Sequence, residues 1–578
     1  MKDAPRRPET APQGLRLWMA LAALGIGALQ ALGFGALNHW SINLIALVLL
    51  LALLQALWTQ GLSLRASMAL GGCFGLSHFG LGLAWLHHSM HHIGGMPFAL
   101  SVLAVVLFAS YLALFPALAI GCAGWALGFR RVTQTGDALH RAAALASAWW
   151  LAEAARGWLF TGFPWLSVGY GQIDGPLASV AAIVGVHGVS ALTVFLAALV
   201  AHAVWPAAHV LARPADRRDP ARGLGATIRY GLTGIRLRLL ALIAVLLLVL
   251  PWVPIGSQHW VSPVGPPLTV RLLQGNVAQG LKFEPQRTLQ AMQDYLEDFE
   301  RGNARLTILP ETAWTVPWSM TPPELVGRVV DRVQAGHHLA VGLPRWREPP
   351  PAAGRSTSPD TGALPANSVL LITPEQALRL AQLSNPRGQP TIEAQDLPIY
   401  DKHHLVPFGE FIPWGFGWFV RQMQIPLGDF ARGARVQPPF EVDGQRIAMN
   451  ICYEDLFGEE IRLPVLEAQA TILANVSNLG WFGRSSALDQ HLAISRFRSL
   501  ETGRPMLRST NTGMTAVIDH QGTVQGLLQP HTRGALDATI QGMTGLTPYV
   551  RLGQAPGLIA CALVLAFIAR QGRRKEPS

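Results

Sequence analysis

Two patterns of apolar and polar positions divide this chain. Before about residue 260, long uninterrupted apolar runs dominate, near 17–36, 42–59, 67–86, 97–128, 141–160, 176–204 and 236–254, and one more lies near 555–570. A helix of roughly 20 apolar residues crosses the ~30 Å hydrocarbon layer of a bilayer. The runs therefore predict an eight-helix transmembrane bundle, with seven spans before the polar segment and one after it. The first run is long, lacks a clear small-residue cleavage site and is followed at once by further spans, so it reads as a retained helix and not as a signal peptide.

From Leu268 to about Thr547 the runs shorten. Leu268–Leu273, Leu306–Leu309, Leu339–Gly342, Ser368–Ile372, Arg446–Ile451, Thr471–Val476 and Met514–Ile518 are apolar and several are rich in β-branched residues, which predicts strands. Thr288–Arg301, Pro323–Gly336 and Ala487–Glu501 are amphipathic and predict helices between them. Strands interleaved with helices imply an α/β layered domain with its site at strand ends. The expected organisation is a membrane region over 1–260, an α/β catalytic domain over 261–547, and a final span with its tail over 548–578. The Pro- and Gly-rich stretch from Pro349 to Pro365 reads as a loop.

Composition agrees with a membrane protein: half of the 578 residues are hydrophobic, 14% are charged, and the mean hydropathy is +0.28. The net charge of +10 would suit a nucleic-acid binder, but its placement argues otherwise. Lys2, Arg6, Arg7 and Arg16, then Arg65, then Arg130, Arg131 and Arg141, then Arg213, Arg217, Arg218, Arg222 and Arg229, and finally Arg573, Arg574 and Lys575 all fall on one side of eight alternating spans. The positive-inside rule then puts both termini in the cytoplasm and the polar domain on the outer, periplasmic face of a bacterial inner membrane.

Cys452 is the only cysteine of the polar segment, so no disulfide within that domain is available to it and packing or reactivity remain. Glu311 follows a strand-like run in Leu309-Pro310-Glu311, and Lys402 stands in Lys402-His403-His404-Leu405-Val406-Pro407-Phe408-Gly409-Glu410. In the apolar half, His87, His88, His91 and His92 have imidazoles that could bind a metal. No carboxylate or cysteine accompanies them, and polar histidines at a headgroup boundary need no metal. Glu153 and Arg156, three apart on one predicted membrane helix, are candidates to pair.

With Gln274-Gly275-Asn276, Ile451-Cys452-Tyr453-Glu454, Trp481-Phe482-Gly483 and Leu507–Gly513 in the polar domain, and Gly162-Phe163-Pro164-Trp165 and Gln172–Leu177 before it, the chain resembles the apolipoprotein N-acyltransferase family, membrane members of the nitrilase superfamily. The resemblance implies an αββα sandwich and a Glu–Lys–Cys triad: Cys452 as nucleophile, Glu311 as general base, Lys402 as the cation near the oxyanion. Such a cation suits acyl transfer, which passes through a tetrahedral oxyanion. The resemblance also implies that Glu410 orients Lys402 or assists proton movement and that Tyr453 and Glu454 shape the nucleophile's strand end. Where some members have tryptophan, this chain has Phe283, and Leu479-Gly480 replaces a more polar pair.

The run from Phe411 to Val420 is too apolar and aromatic for a solvent-facing loop, and reads as a lid in the outer leaflet. Phe283, Trp414, Trp418 and Trp481 are its lipid-contact candidates. The implied reaction moves one acyl chain from a phospholipid, expected to be phosphatidylethanolamine, to the amine of a diacylglyceryl-apolipoprotein, with the lipid bilayer as setting and no cofactor, metal or nucleic acid. Two alternatives use the same sequence: a membrane-tethered amidase hydrolysing a small amide, and a catalytically inactive lipid-binding or transport protein. With eight spans, a phosphatase fused after Ser578 stays inactive because it remains in the cytoplasm; periplasmic phosphatase activity from that fusion would overturn the eight-span arrangement.

Overall fold

Alternation along short strands builds the polar half. In Leu268–Gln274, Leu268, Val270 and Leu272 point one way and are fully buried, as the period of two requires. A computed structural model describes residues 13–211 and 256–573, apart from positions 36, 60–61, 129–134, 283, 348–363, 378–397, 414 and 416–428, together with Ile243. One six-stranded sheet runs in the order Gly534–Ile540, Leu268–Gln274, Leu306–Ile308, His338–Arg347, Leu364–Ile372, Ile399–Asp401. The other runs Val524–Leu527, Ala516–Ile518, Met506–Thr510, Ile472–Ser477, Gln445–Ile451, Phe440–Val442. In each sheet three central strands are parallel, joined by crossovers, and the outer pairs are antiparallel.

The sheets pack face to face. Val270, Leu272, Ile308, Val369 and Leu371 from the first meet Ile447, Met449, Ile451, Val476 and Leu507 from the second in one dry core. Helices Pro285–Glu300 and Pro323–Gln334 cover the far side of the first sheet. The latter buries Leu325, Val326, Val329, Val330 and Val333, spaced for one helical face, each contributing roughly 1.5–3 kcal/mol. Ile461 and Val465, from helix Gly458–Leu466, cover the second sheet. This is the expected αββα sandwich. All three expected helices and all seven expected strands form. Met506–Thr510 and Gly534–Ile540 were not expected as strands, the first because Arg508, Ser509 and Thr510 break its apolar pattern.

Before the sandwich lie helices Gln13–Gly33, Trp40–Thr59, Leu64–Gly82, Phe98–Leu127, Thr135–Arg156 and Ala181–Leu211, and after it lies Ala555–Arg573. Among the described residues three helices are long and apolar enough to cross a membrane, Trp40–Trp58, Phe98–Leu127 and Ala178–Ala203. Leu64–Gly82 and Trp85–Ile93, bent by 48°, make a fourth if they count as one span. The apolar parts of the first and last helices, Leu17–Gly33 and Ala555–Gln571, are shorter, and Thr135–Arg156 is interrupted by Asp137, Arg141, Glu153 and Arg156. The expected run at 236–254 lies outside the described residues, Ile243 excepted.

Among the described residues Glu153 and Arg156 form no ion pair with each other; both grip the following loop. Arg156 donates to the carbonyls of Phe163 and Trp165 (both 2.6 Å) and to Ser167 (2.9 Å). Glu153 accepts from the Val168 amide (2.9 Å) and the Trp149 indole (3.1 Å). The loop thus held supplies Gly162, whose carbonyl accepts the Tyr453 hydroxyl at 2.9 Å.

One glycine fixes where Glu311 sits. A Cβ on Gly342 would press on the Pro310 carbonyl and stand 3.0 Å from the Glu311 Cα. Gly342→Ala is expected to destabilise the protein by about 1–3 kcal/mol and to lower activity more than stability explains; thermal unfolding in detergent beside initial rates checks both.

Candidate active site

The residues singled out by sequence converge at strand ends. Cys452 follows Gln445–Ile451 directly and takes φ +54, a left-handed conformation that costs a non-glycine residue roughly 1–2 kcal/mol. Thr312, after the expected base, has φ +48 and Phe408, in the Lys402–Glu410 segment, φ +63. Such strain persists where the surrounding structure over-determines the backbone, and it clusters at functional sites.

Lys402 is 1% exposed and sits between two carboxylates, its Nζ 2.8 Å from Glu410 Oε1 and 3.7 Å from Glu311 Oε1. Asn367 spans both acids, its Nδ2 donating to Glu311 Oε1 (2.7 Å) and Glu410 Oε1 (3.0 Å). The backbone amide of Asn478 reaches Glu311 Oε2 (2.8 Å), and that of Val406 reaches Glu410 Oε2 (2.9 Å). Burial disfavours the Lys402 charge, but Glu410 and then Glu311 outweigh it and hold the ammonium above the usual lysine range. Lys402 is a fixed cation, the group an oxyanion needs.

Cys452 is partly accessible. Its crowded surroundings push the thiol well above the ordinary cysteine range, the Glu311 carboxylate adds to this, and Lys402 opposes it. The resting sulfur is therefore a neutral thiol, and any attack by it would require the proton to leave.

Glu454 is a structural clamp. Its carboxylate accepts from the amides of Ile451 (2.6 Å), His403 (2.7 Å) and His404 (3.0 Å) and from the Tyr400 hydroxyl (2.9 Å), tying the cysteine turn to the lysine strand. Tyr453, 7% exposed, bonds Gly162 and packs edge-on against Phe457. Trp481 is half-buried, and its carbonyl accepts from Ser89 (2.7 Å) on the histidine-bearing helix Trp85–Ile93. On that helix His87 bonds Ser101 (2.8 Å) and His91 bonds the Met96 carbonyl (2.7 Å). Phe283, Trp414 and Trp418 lie outside the described residues.

Behind the nucleophile is a buried ionic cluster. His491 Nε2 lies 3.1 Å from Asp455 Oδ1 and 3.3 Å from the Cys452 carbonyl oxygen. Arg508 contacts the other ring nitrogen of His491, lies 3.5 Å from Asp455 Oδ2, and donates to Ser495 (2.6 Å). Sequence reasoning singled out neither this cluster nor Asn367, although a lone Asn inside the apolar strand Leu364–Ile372 is a signal: a buried amide needs partners.

The membrane half matches the apolipoprotein N-acyltransferase N-terminal domain over residues 26–199, and the polar half matches carbon-nitrogen hydrolase over residues 269–549. Apolipoprotein N-acyltransferase of Ralstonia nicotianae is 42% identical over 97% of this chain and 94% of its own length. The chain belongs to the apolipoprotein N-acyltransferase family. Family members from Bordetella bronchiseptica and Nitrosomonas europaea are 39% and 37% identical, over 95% and 96% of this chain and 96% and 98% of their own lengths. Among solved structures, an amidase of the nitrilase superfamily from Nesterenkonia is 15% identical, covering 52% of this chain and 98% of its own, with a TM-score of 0.32.

Because the Cys452 thiol is raised, its alkylation by iodoacetamide should keep accelerating, about tenfold per pH unit, past about pH 9, where an ordinary cysteine levels off. A plateau near neutrality, read by intact mass, would mean a preformed thiolate.

Proposed function

We propose that this chain, as an acyltransferase of lipoprotein maturation, carries one fatty acyl chain from a phospholipid to the N-terminal amine of a diacylglyceryl-apolipoprotein through a thioester on Cys452. The observation that carries the reading is the Glu410–Lys402–Glu311 chain of charges beside a thiol at a strained strand end. Cys452 attacks the ester carbonyl while Glu311 accepts the thiol proton, and Lys402 faces the oxyanion. The carbon–oxygen bond then breaks, and Glu311 returns the proton to the departing lysophospholipid alkoxide. In the second half the acceptor amine attacks the thioester and Glu311 takes its proton; the carbon–sulfur bond then breaks and Glu311 passes that proton to the departing sulfur, which restores both the thiol and the carboxylate. Glu410 keeps Lys402 charged and in place, while Tyr453 and Glu454 fix the nucleophile's turn.

Phosphatidylethanolamine is the proposed donor, and Phe283, Trp414, Trp418 and Trp481 the proposed lipid contacts. The proposed organisation is seven spans over 1–260, a periplasmic catalytic domain over 261–547 and a final span within 548–578, with both termini cytoplasmic in a bacterial inner membrane. The charge distribution along the sequence and the apolar helices support it.

Intact mass spectrometry of the protein incubated with phosphatidylethanolamine tests the chemistry. A hydroxylamine-sensitive adduct of one acyl chain is expected on the wild type and on neither Cys452→Ala nor Glu311→Gln. An adduct on Cys452→Ala, or none on the wild type with no lysophospholipid released, would overturn it.

A further inference from the structure

Two carboxylates and one ammonium leave the buried site one positive charge short, and the structure holds another lysine beside it. Lys282 is 4% exposed, and its Nζ donates to the Glu311 carbonyl oxygen (3.2 Å) and the Thr312 hydroxyl (2.5 Å). We propose that Lys282 is a positioning residue for acyl transfer: it fixes the strained loop that presents Glu311 and balances the charge of the two site carboxylates. The inference rests on the reading of Glu311 and Cys452 given above.

Three observations support it. Thr312, directly after Glu311, is where the base loop departs from relaxed backbone, since it is β-branched at φ +48 and such residues rarely adopt that region. Both Lys282 contacts fall on these two residues and offset that strain locally. Second, the same turn grips the other side of the base. Gln279 Oε1 accepts from Asn478 Nδ2 (2.6 Å), and the Asn478 amide holds Glu311 Oε2. The turn Gln279–Lys282 thus holds the Glu311 backbone and a hydrogen-bond donor to its carboxylate at once. Third, an ammonium this buried is costly unless paired. Burial lowers the Lys282 pKa to about 8 and the Glu311 charge opposes the drop, so the ammonium is held by the residue whose loop it fixes.

The test is the rate of thioester formation from phosphatidylethanolamine in mixed micelles, followed by intact mass at varied lipid. Lys282→Met should slow acylation at saturating lipid by about 10-fold to 100-fold, the cost of a misplaced reacting group, with the half-saturating lipid concentration unchanged. Lys282→Arg should recover most of the rate, and Thr312→Val should slow it in the same sense. Melting temperatures in detergent identify any variant that has not folded; if Lys282→Met fails to fold, Thr312→Val decides. Acylation by Lys282→Met at the wild-type rate, a loss confined to the half-saturating lipid concentration, an arginine variant as slow as the methionine one, or a Thr312→Val at full rate would each overturn the proposal. An adduct forming on Cys452→Ala would instead overturn the site reading beneath it.

Discussion

A lysine ammonium buried to 1% exposure between two carboxylates is the constraint around which the catalytic domain is arranged. Removing charges from water costs several kcal/mol per ion and is repaid only where the remaining lone pairs and protons are also satisfied. The sandwich satisfies them from separate segments: Asn367 from one strand, Asn478 after another, Val406 from the lysine segment itself. Each donor is useful only if both sheets keep their register, since a slip of one residue turns every side chain to the other face. The ionic chain is therefore satisfied only when both sheets hold their native register.

The same logic joins the domain to the membrane half. Helix Ala487–Thr502 carries His491 toward the Cys452 carbonyl and, on the neighbouring residue, Gln490 toward the indoles of Trp85 (3.2 Å) and Trp165 (2.7 Å). At its far end the Glu501 carboxylate accepts the Val186 amide (2.8 Å), just after Gly185 breaks the helix at φ +67. Burial raises Glu501 to about 7 and Arg498 opposes that rise. The nucleophile is thus referenced to the apolar helices through one rigid element.

How much of this was legible in the sequence depends on how local each signal is. The strand Ile472–Ser477 announces itself because burial on both faces forces a nearly continuous apolar run, and Leu268–Gln274 because Thr269 and Arg271 alternate with its buried apolar residues. Glu311, Lys402 and Cys452 stood out because each is a reactive group in an apolar or proline-marked setting. Lys282, Asn367 and the Asp455–His491–Arg508 cluster did not, since their meaning lies in partners dozens of residues away. Glu153 and Arg156 show the opposite error. Spacing on one helix face suggested a pair, whereas a nearby loop of unpaired carbonyls and amides offered each a better partner.

An acyl-enzyme that transfers must also outlast water. In the proposed reaction, thioester hydrolysis and aminolysis pass through the same kind of oxyanion, so the Lys402 ammonium would favour both and could not choose between them. Selectivity has to come from what surrounds the sulfur, and there the membrane half contributes directly. Tyr453 bonds Gly162, its ring lies 6.3 Å from that of Phe163, Trp165 stacks on His491, and Phe482 packs on Trp85 at 4.4 Å. These aromatic contacts come from both halves of the chain and wall one side of the nucleophile's turn with apolar surface. A free-standing sandwich with the same three reactive residues would present that side to solvent. The apolar helices and the loops that join them therefore supply part of the wall which, in the proposed reaction, would let an amine on a lipid-modified chain end compete with water for the acyl group.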